Sequence, residues 1–263
     1  MNRIDKKFEE LRAQKRKAFI AFVTAGYPSL KETEELVLAI ERSGADIIEL
    51  GVPFSDPLAD GPTIQEASYQ ALLKGVTLKK ILETVRVIRA CSEIPIALMT
   101  YYNPVFRFGE KKFVEAANNA GVDGVIIPDL PVEEAGVLMH WASKSDLATI
   151  FFLAPTTEKD RMPGIVKAST GFIYFVSVAG VTGSKKSLPF EIEKNIRMAK
   201  GMTDKPVCVG FGISTPEDVK VLGSVADGVI VGSAIVKEIG KNTGRPDMVE
   251  RVAGFVKQLA DAL

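Results

Sequence analysis

The chain has 263 residues, and its 33 Lys and Arg are balanced by 33 Asp and Glu, with a single His. That length suits one α/β barrel with a large core, and zero formal net charge leaves no global field to draw nucleic acid or an acidic membrane surface. Cys91 and Cys208 form no CxxC or zinc pattern; both stand in apolar stretches and read as small core residues of a protein from a reducing compartment.

The opening stretch, MNRIDKKFEELRAQKRKAF, is a mixed-charge helical pattern with Ile4, Phe8 and Leu11 on one face. It lacks the apolar segment of a signal peptide, and its acids argue against an organellar transit peptide. Apolar β-branched runs then alternate with helical patterns: run 19–24, helix 31–43, run 46–50, helix 78–91, run 96–100 and helix 110–120. The second half continues with run 124–128, helix 132–144, run 149–153, helix 158–168, run 172–176 and helix 189–200. Run 207–211, helix 215–223, run 228–232 and helix 247–262 complete it. Ser214 or Thr215 caps one of these helices, with Pro216 in its first turn. Three strand lead-ins repeat one pattern, SGADIIEL, AGVDGVII and SVADGVIV, in which an Asp enters the strand. The longest apolar stretch, 171–181, is too short to span a bilayer as a helix, and a cytoplasmic protein is expected.

The eight runs are continuously apolar rather than alternating, as parallel strands covered on both faces are. No linker or composition break divides the chain. Eight βα units over residues 1–263 predict a single α/β domain, a (β/α)8 TIM barrel with an additional N-terminal helix. An open doubly wound sheet would carry a G-x-G-x-x-G turn after its first strand, and VTAGYPS is not one.

In such barrels the chemistry sits at the C-terminal strand ends and the loops after them. That rule selects Glu49, Asp60, Tyr174 and the glycine turns AGVTGS (179–184), GFGIS (210–214) and VGSAIV (231–236). Three such turns after the last three strands form a phosphate-binding signature, with Gly232-Ser233 opening a helix whose first N–H groups suit an anion; the alternative is plain tight turns. Glu49 ends an apolar run, so it is either paired structurally or tuned for proton transfer. Asp60, before Gly61-Pro62, is either a turn residue or a second acid–base group, and Asp56 before Pro57 reads as a turn or partner contact. His140 and Trp141 fall on a helix away from the strand ends, and no metal-binding motif is present in the sequence. No strand-end lysine supports a Schiff-base aldolase. The residues therefore point to carboxylate acid–base chemistry on a small phosphorylated substrate.

ELGVPFSDPLADGPTIQ (49–65), taken with FVTAGYP (22–28), YYNPVF (101–106), PDLPVEE (128–134), AGVTG, GFGIS and GSAIVK, closely resembles the tryptophan synthase α subunit family over nearly the whole chain. The resemblance implies retro-aldol cleavage of indole-3-glycerol phosphate to indole and glyceraldehyde 3-phosphate. It implies Glu49 as the acid–base group at indole C3 and the glycerol hydroxyl, Asp60 beside the ring nitrogen, and Tyr174 in a supporting role. It places Phe22, Leu98, Ile126 and Phe211 around the indole, Gly183, Gly212, Gly232 and Ser233 at the phosphate, and Thr182 on a closing loop that bonds Asp60. Val178 stands where some members carry a basic residue. It further implies a β subunit in an α2β2 assembly, faced by Pro53, Asp56, Asn103, Phe106 and Pro131, with pyridoxal phosphate held by that partner and no cofactor in this chain. The alternatives are a free-standing indole-3-glycerol-phosphate lyase, a non-catalytic phosphate-binding barrel that regulates a partner, and, more remotely, a phosphosugar isomerase.

Overall fold

The computed structural model describes residues 1–176, 190–210 and 212–263. Its strands are β1 (Ala18–Thr24), β2 (Ile47–Gly51), β3 (Ile96–Met99), β4 (Gly124–Ile126), β5 (Ala148–Ile150), β6 (Phe152–Leu153), β7 (Ile173–Val176), β8 (Val207–Gly210) and β9 (Gly228–Val231). All pair in parallel, in the order β5-β4-β3-β2-β1-β9-β8-β7-β6. The predicted run 149–153 is interrupted at Phe151, so one expected strand becomes two halves. β5 pairs with β4 and β6 pairs with β7, which closes the sheet into a barrel. The Phe151 carbonyl accepts the Tyr174 N–H at 3.1 Å and keeps the ladder continuous across the break.

The helices are α1 (Arg3–Ala13), α2 (Leu30–Arg42), α3 (Pro62–Leu73), α4 (Leu78–Arg89), α5 (Tyr102–Phe108) and α6 (Glu110–Ala120), then α7 (Gly136–Lys144), α8 (Met162–Ala168), α9 (Phe190–Lys200), α10 (Pro216–Gly223), α11 (Ser233–Asn242) and α12 (Met248–Ala260). Most follow the sequence pattern. Ile81, Leu82, Val85 and Ile88 form the buried stripe of α4, and Thr215 caps α10 in a reciprocal box with Asp218. The helices expected to start at 132 and 158 begin at Gly136 and Met162, after turns. Two helices, α3 and α5, had no expectation; α3 buries only Ala67, Ser68 and Ala71, and α5 only Val105, too little to mark an apolar face. Cys208 is buried as expected, whereas Cys91 is exposed because it lies in the turn past Ile88, the last core residue of α4.

The side chains divide into an outer core between sheet and helices and an inner core within the barrel. The inner core includes Ile20, Ile47, Ala97, Ile150 and Cys208, and α1 closes its N-terminal end with Ile4, Phe8 and Leu11. At this end the repeated aspartates have a common geometry. Asp46, Asp123 and Asp227 each accept, through a side-chain oxygen, the backbone N–H of the neighbouring strand's first residues: Phe19 at 2.9 Å, Ile96 at 2.8 Å and Val207 at 3.1 Å. Thr170 does the same for Thr149 at 2.7 Å. In each case the clamping residue's own N–H returns a bond to the same partner's carbonyl. These closed pairs satisfy strand-end groups that would otherwise be orphaned.

Candidate active site

Alternation along each strand decides which side chains face the barrel axis. On β2, Ile47 packs inside while Ile48 and Leu50 pack outward, so Glu49 points inward, in register with Phe22 of β1. Glu49 is 1% exposed, and neither of its carboxyl oxygens has a hydrogen-bond partner among the described residues. Burial, helped by the charge of Asp60, pushes its pKa up to about 8. At neutral pH Glu49 therefore holds a proton.

A cavity of about 580 Å³ opens at the C-terminal end of the strands. Its apolar walls include Phe22, Met99, Phe152, Tyr174 and Ile230, and its polar edge Asp60, Gly212, Gly232 and Ser233. That is room for a bicyclic ring with a short phosphorylated chain. The Tyr174 ring packs against Phe152 with centroids 4.8 Å apart. Burial, with the charges of Glu49, Cys208 and Asp60, raises its phenol well above its ordinary value, so it stays a neutral donor. A Cβ on Gly210 would come within 2.5 Å of the Tyr174 hydroxyl, which is why that strand ends in glycine.

Asp60 is carried on the loop between β2 and α3 and lines the cavity half-buried. Its Oδ2 accepts the Tyr101 hydroxyl at 3.0 Å, its N–H donates to the Pro57 carbonyl, and its carbonyl accepts Gln65 Nε2 at 2.8 Å. Burial raises its carboxyl pKa while the Tyr101 donor opposes the rise. Gly212 has φ +73°, a left-handed backbone that a side chain would strain. Gly232 precedes α11, whose first N–H groups lack helical partners; Gly232 and Ser233 line the cavity, an arrangement of donors that can accept an anion. No three His, Cys, Asp or Glu converge as metal ligands among the described residues. No helix among them is long and apolar enough to cross a membrane.

The sequence model of the tryptophan synthase alpha chain family matches residues 8–263. A tryptophan synthase alpha chain from Caldanaerobacter subterraneus subsp. tengcongensis is 48% identical over 263 residues, 100% of both chains. The chain belongs to the tryptophan synthase alpha chain family. Solved structures agree. Tryptophan synthase subunit alpha from Legionella pneumophila str. Paris matches with a TM-score of 0.93 at 38% identity, covering 100% of this chain and 98% of that one. A chain of the tryptophan synthase complex from Pyrococcus furiosus matches with a TM-score of 0.84 at 40% identity, covering 92% and 97%.

Set against the site expected for a tryptophan synthase alpha chain, Glu49, Asp60 and Tyr174 lie close enough for their charges to interact, and Phe22, Gly212, Gly232 and Ser233 line the cavity. Leu98 does not line it. Its side chain packs outward in the helix-facing core, and Met99, one residue on, takes the inward place. Ile126 faces inward but belongs to the fully buried inner core rather than the cavity lining. Thr182, Gly183 and Phe211, and Val178 with them, lie outside the described residues. Sequence reasoning also missed Met99, Pro128, Phe152 and Tyr101. Met99 and Phe152 follow from strand alternation once its phase is known, whereas Tyr101 acts through a loop contact that no periodicity encodes. Of the partner-facing expectations, Asp56, Asn103, Phe106 and Pro131 are exposed, and Pro53 is buried. Pro53 therefore offers a partner little surface. His140 is exposed on α7, and Trp141 packs on the outer core under the Lys111 and Lys144 ammoniums.

Proposed function

We propose that this chain cleaves indole-3-glycerol phosphate to indole and glyceraldehyde 3-phosphate by carboxylate acid–base catalysis. The observation that carries the reading is Glu49, an inward, fully buried carboxyl that holds its proton at neutral pH and, without lining the cavity itself, interacts with two residues that do, Asp60 and Tyr174. Gly212, Gly232, Ser233 and the start of α11 bind the phosphate, and Phe22, Met99, Phe152 and Tyr174 enclose the indole. Protonated Glu49 gives its proton to indole C3. Positive charge then develops on the ring nitrogen, whose N–H faces the Asp60 carboxylate. The Glu49 carboxylate next takes the proton of the adjacent glycerol hydroxyl. The carbon–carbon bond breaks as the aldehyde C=O forms, and its electron pair returns to the ring to restore indole. Glu49 ends as it began, protonated.

The loop that carries Asp60 also carries exposed Asp56 and Leu58, the latter 93% exposed, and α5 presents Phe106 at 65%. Exposed apolar side chains such as Leu58 and Phe106 suit a β subunit in an α2β2 complex, with pyridoxal phosphate held by that partner and the enzyme working in the cytoplasm. The test is indole release from indole-3-glycerol phosphate, with and without a tryptophan synthase β subunit. Release that rises with the partner is expected. High activity unaffected by the partner would favour a free-standing lyase, and no release in either condition would overturn the reading.

A further inference from the structure

Asp60 stands on a loop rather than a strand, so something outside that loop must fix its carboxylate. Among the described residues, one side chain bonds that carboxylate: Tyr101, through Oδ2 at 3.0 Å. The same hydroxyl accepts the Ala59 N–H at 2.9 Å. A phenol has one proton, and with a lone pair committed to Ala59 that proton is directed to Asp60. Oδ1 is left free of this bond, on a residue that lines the cavity. Tyr101 is itself held firmly. It is 5% exposed and its ring stacks on Phe54 at 5.2 Å and 27°. The backbone is anchored on both sides, Thr100 N–H to the Ile126 carbonyl at 3.0 Å and Tyr102 N–H to Asp129 Oδ1 at 2.8 Å. A rigid β3–α5 junction thus reaches across to two successive residues of the loop that bears the acid.

We infer that Tyr101 is the positioning residue for Asp60, holding one carboxylate oxygen so that the other is presented to the substrate's ring N–H. The inference rests on the proposed cleavage reaction. In that reading ground-state affinity belongs to the phosphate edge and the apolar walls, and Tyr101 is not among the residues that line the cavity. Its loss should therefore act on the step in which charge develops at nitrogen. Among the described residues, the titratable groups that interact with the pair are Glu49 from β2, Tyr174 from β7 and, beyond Tyr101, Asp129.

The test is Tyr101→Phe, assayed with the β subunit present. With one hydrogen bond to a charged acceptor removed, kcat should fall roughly 10- to 100-fold. KM should change less than about threefold. The acid limb of the kcat/KM profile should move to higher pH, since Asp60 loses the donor that favours its charged form. In an Asp60→Asn background the same substitution should add little, because the two residues act as a unit. A purely structural tyrosine would lower stability and leave the acid limb in place. Unchanged kcat and acid limb in Tyr101→Phe, beside an active unsubstituted enzyme, would overturn this inference alone; an inactive unsubstituted enzyme would overturn the reaction and this inference with it. If Tyr101→Phe fails to fold, 3-fluorotyrosine at this position keeps the shape and strengthens the donor. It should move the acid limb to lower pH, and an unmoved limb overturns the inference.

Discussion

Asp46 and Glu49 stand three residues apart, one just before β2 and the other in the middle of it, and the chain treats them in opposite ways. Both are buried, and burial pushes both carboxyls up. At the N-terminal end, Asp46 meets that cost with the Phe19 N–H at 2.9 Å and the Arg16 guanidinium at 3.6 Å. Asp123 is held the same way, by the Ile96 N–H with Arg89 and Arg3. Inside the strand, Glu49 has no such partner among the described residues, and its pKa rises to about 8. The N-terminal end of the barrel uses its carboxylates to close strand pairs, whereas the interior of β2 keeps a carboxyl without a partner among the described residues, with its pKa raised toward neutrality.

The sharpest way to break this contrast is Glu49→Gln. Glutamine keeps the shape and removes the exchangeable proton, so kcat should fall by about 10³-fold or more while substrate affinity is retained. Stability should move the other way. The folded carboxyl holds its proton up to about pH 8, whereas the unfolded one releases it from 4.5 upward. The folded state therefore binds more protons across that window, and unsubstituted protein loses stability as pH rises from 4.5 to 8. Glutamine does not titrate. Between pH 5 and pH 9 the stability gap should shift in favour of the variant by on the order of 4 kcal/mol. Urea unfolding at the two pH values measures it. A gap that stays constant would mean that Glu49 is paired after all.

Asp46→Ala tests the other end. It leaves the buried Phe19 N–H without its side-chain acceptor, which should cost about 2–3 kcal/mol in urea unfolding. Turnover per folded molecule should stay within about twofold, because Asp46 lies at the far end of the barrel from the cavity. A large loss of kcat with unchanged stability would reverse the roles assigned to the two ends.

How legible this was in the sequence follows from the physics of each feature. The barrel and its extra helix were legible because buried parallel strands and amphipathic helices leave periodic patterns over long stretches. The Asp lead-ins were visible as a repeat, although only the fold shows that they clamp neighbouring strands. Leu98 was misplaced because an all-apolar run carries no phase: IALMT does not say which residues face inward, and the answer is Ala97 and Met99. α3 and α5 were missed because they bury little. Cys91 was misread because it sits just past a helix end, where an apolar neighbourhood in sequence is no longer one in space. Glu49 stood out because an acid in an apolar run conflicts with its surroundings, whereas Tyr101 conflicts with nothing and gave no such sign.

The smallest expected effect bears most directly on the contrast between Glu49 and Asp46. If the acid at C3 is protonated Glu49, kcat/KM should decline on the alkaline side with half the activity lost near pH 8 and about tenfold lost by pH 9. The acid side should decline as Asp60, whose carboxyl is raised by burial and held down by Tyr101, takes up its proton. Asp46 leaves no mark on this profile if its role is confined to strand closure, so Asp46→Ala should reproduce both limbs. A profile flat from pH 7 to 9.5 would mean that Glu49 enters the reaction as a carboxylate, and the proton for C3 would then have to come from another group.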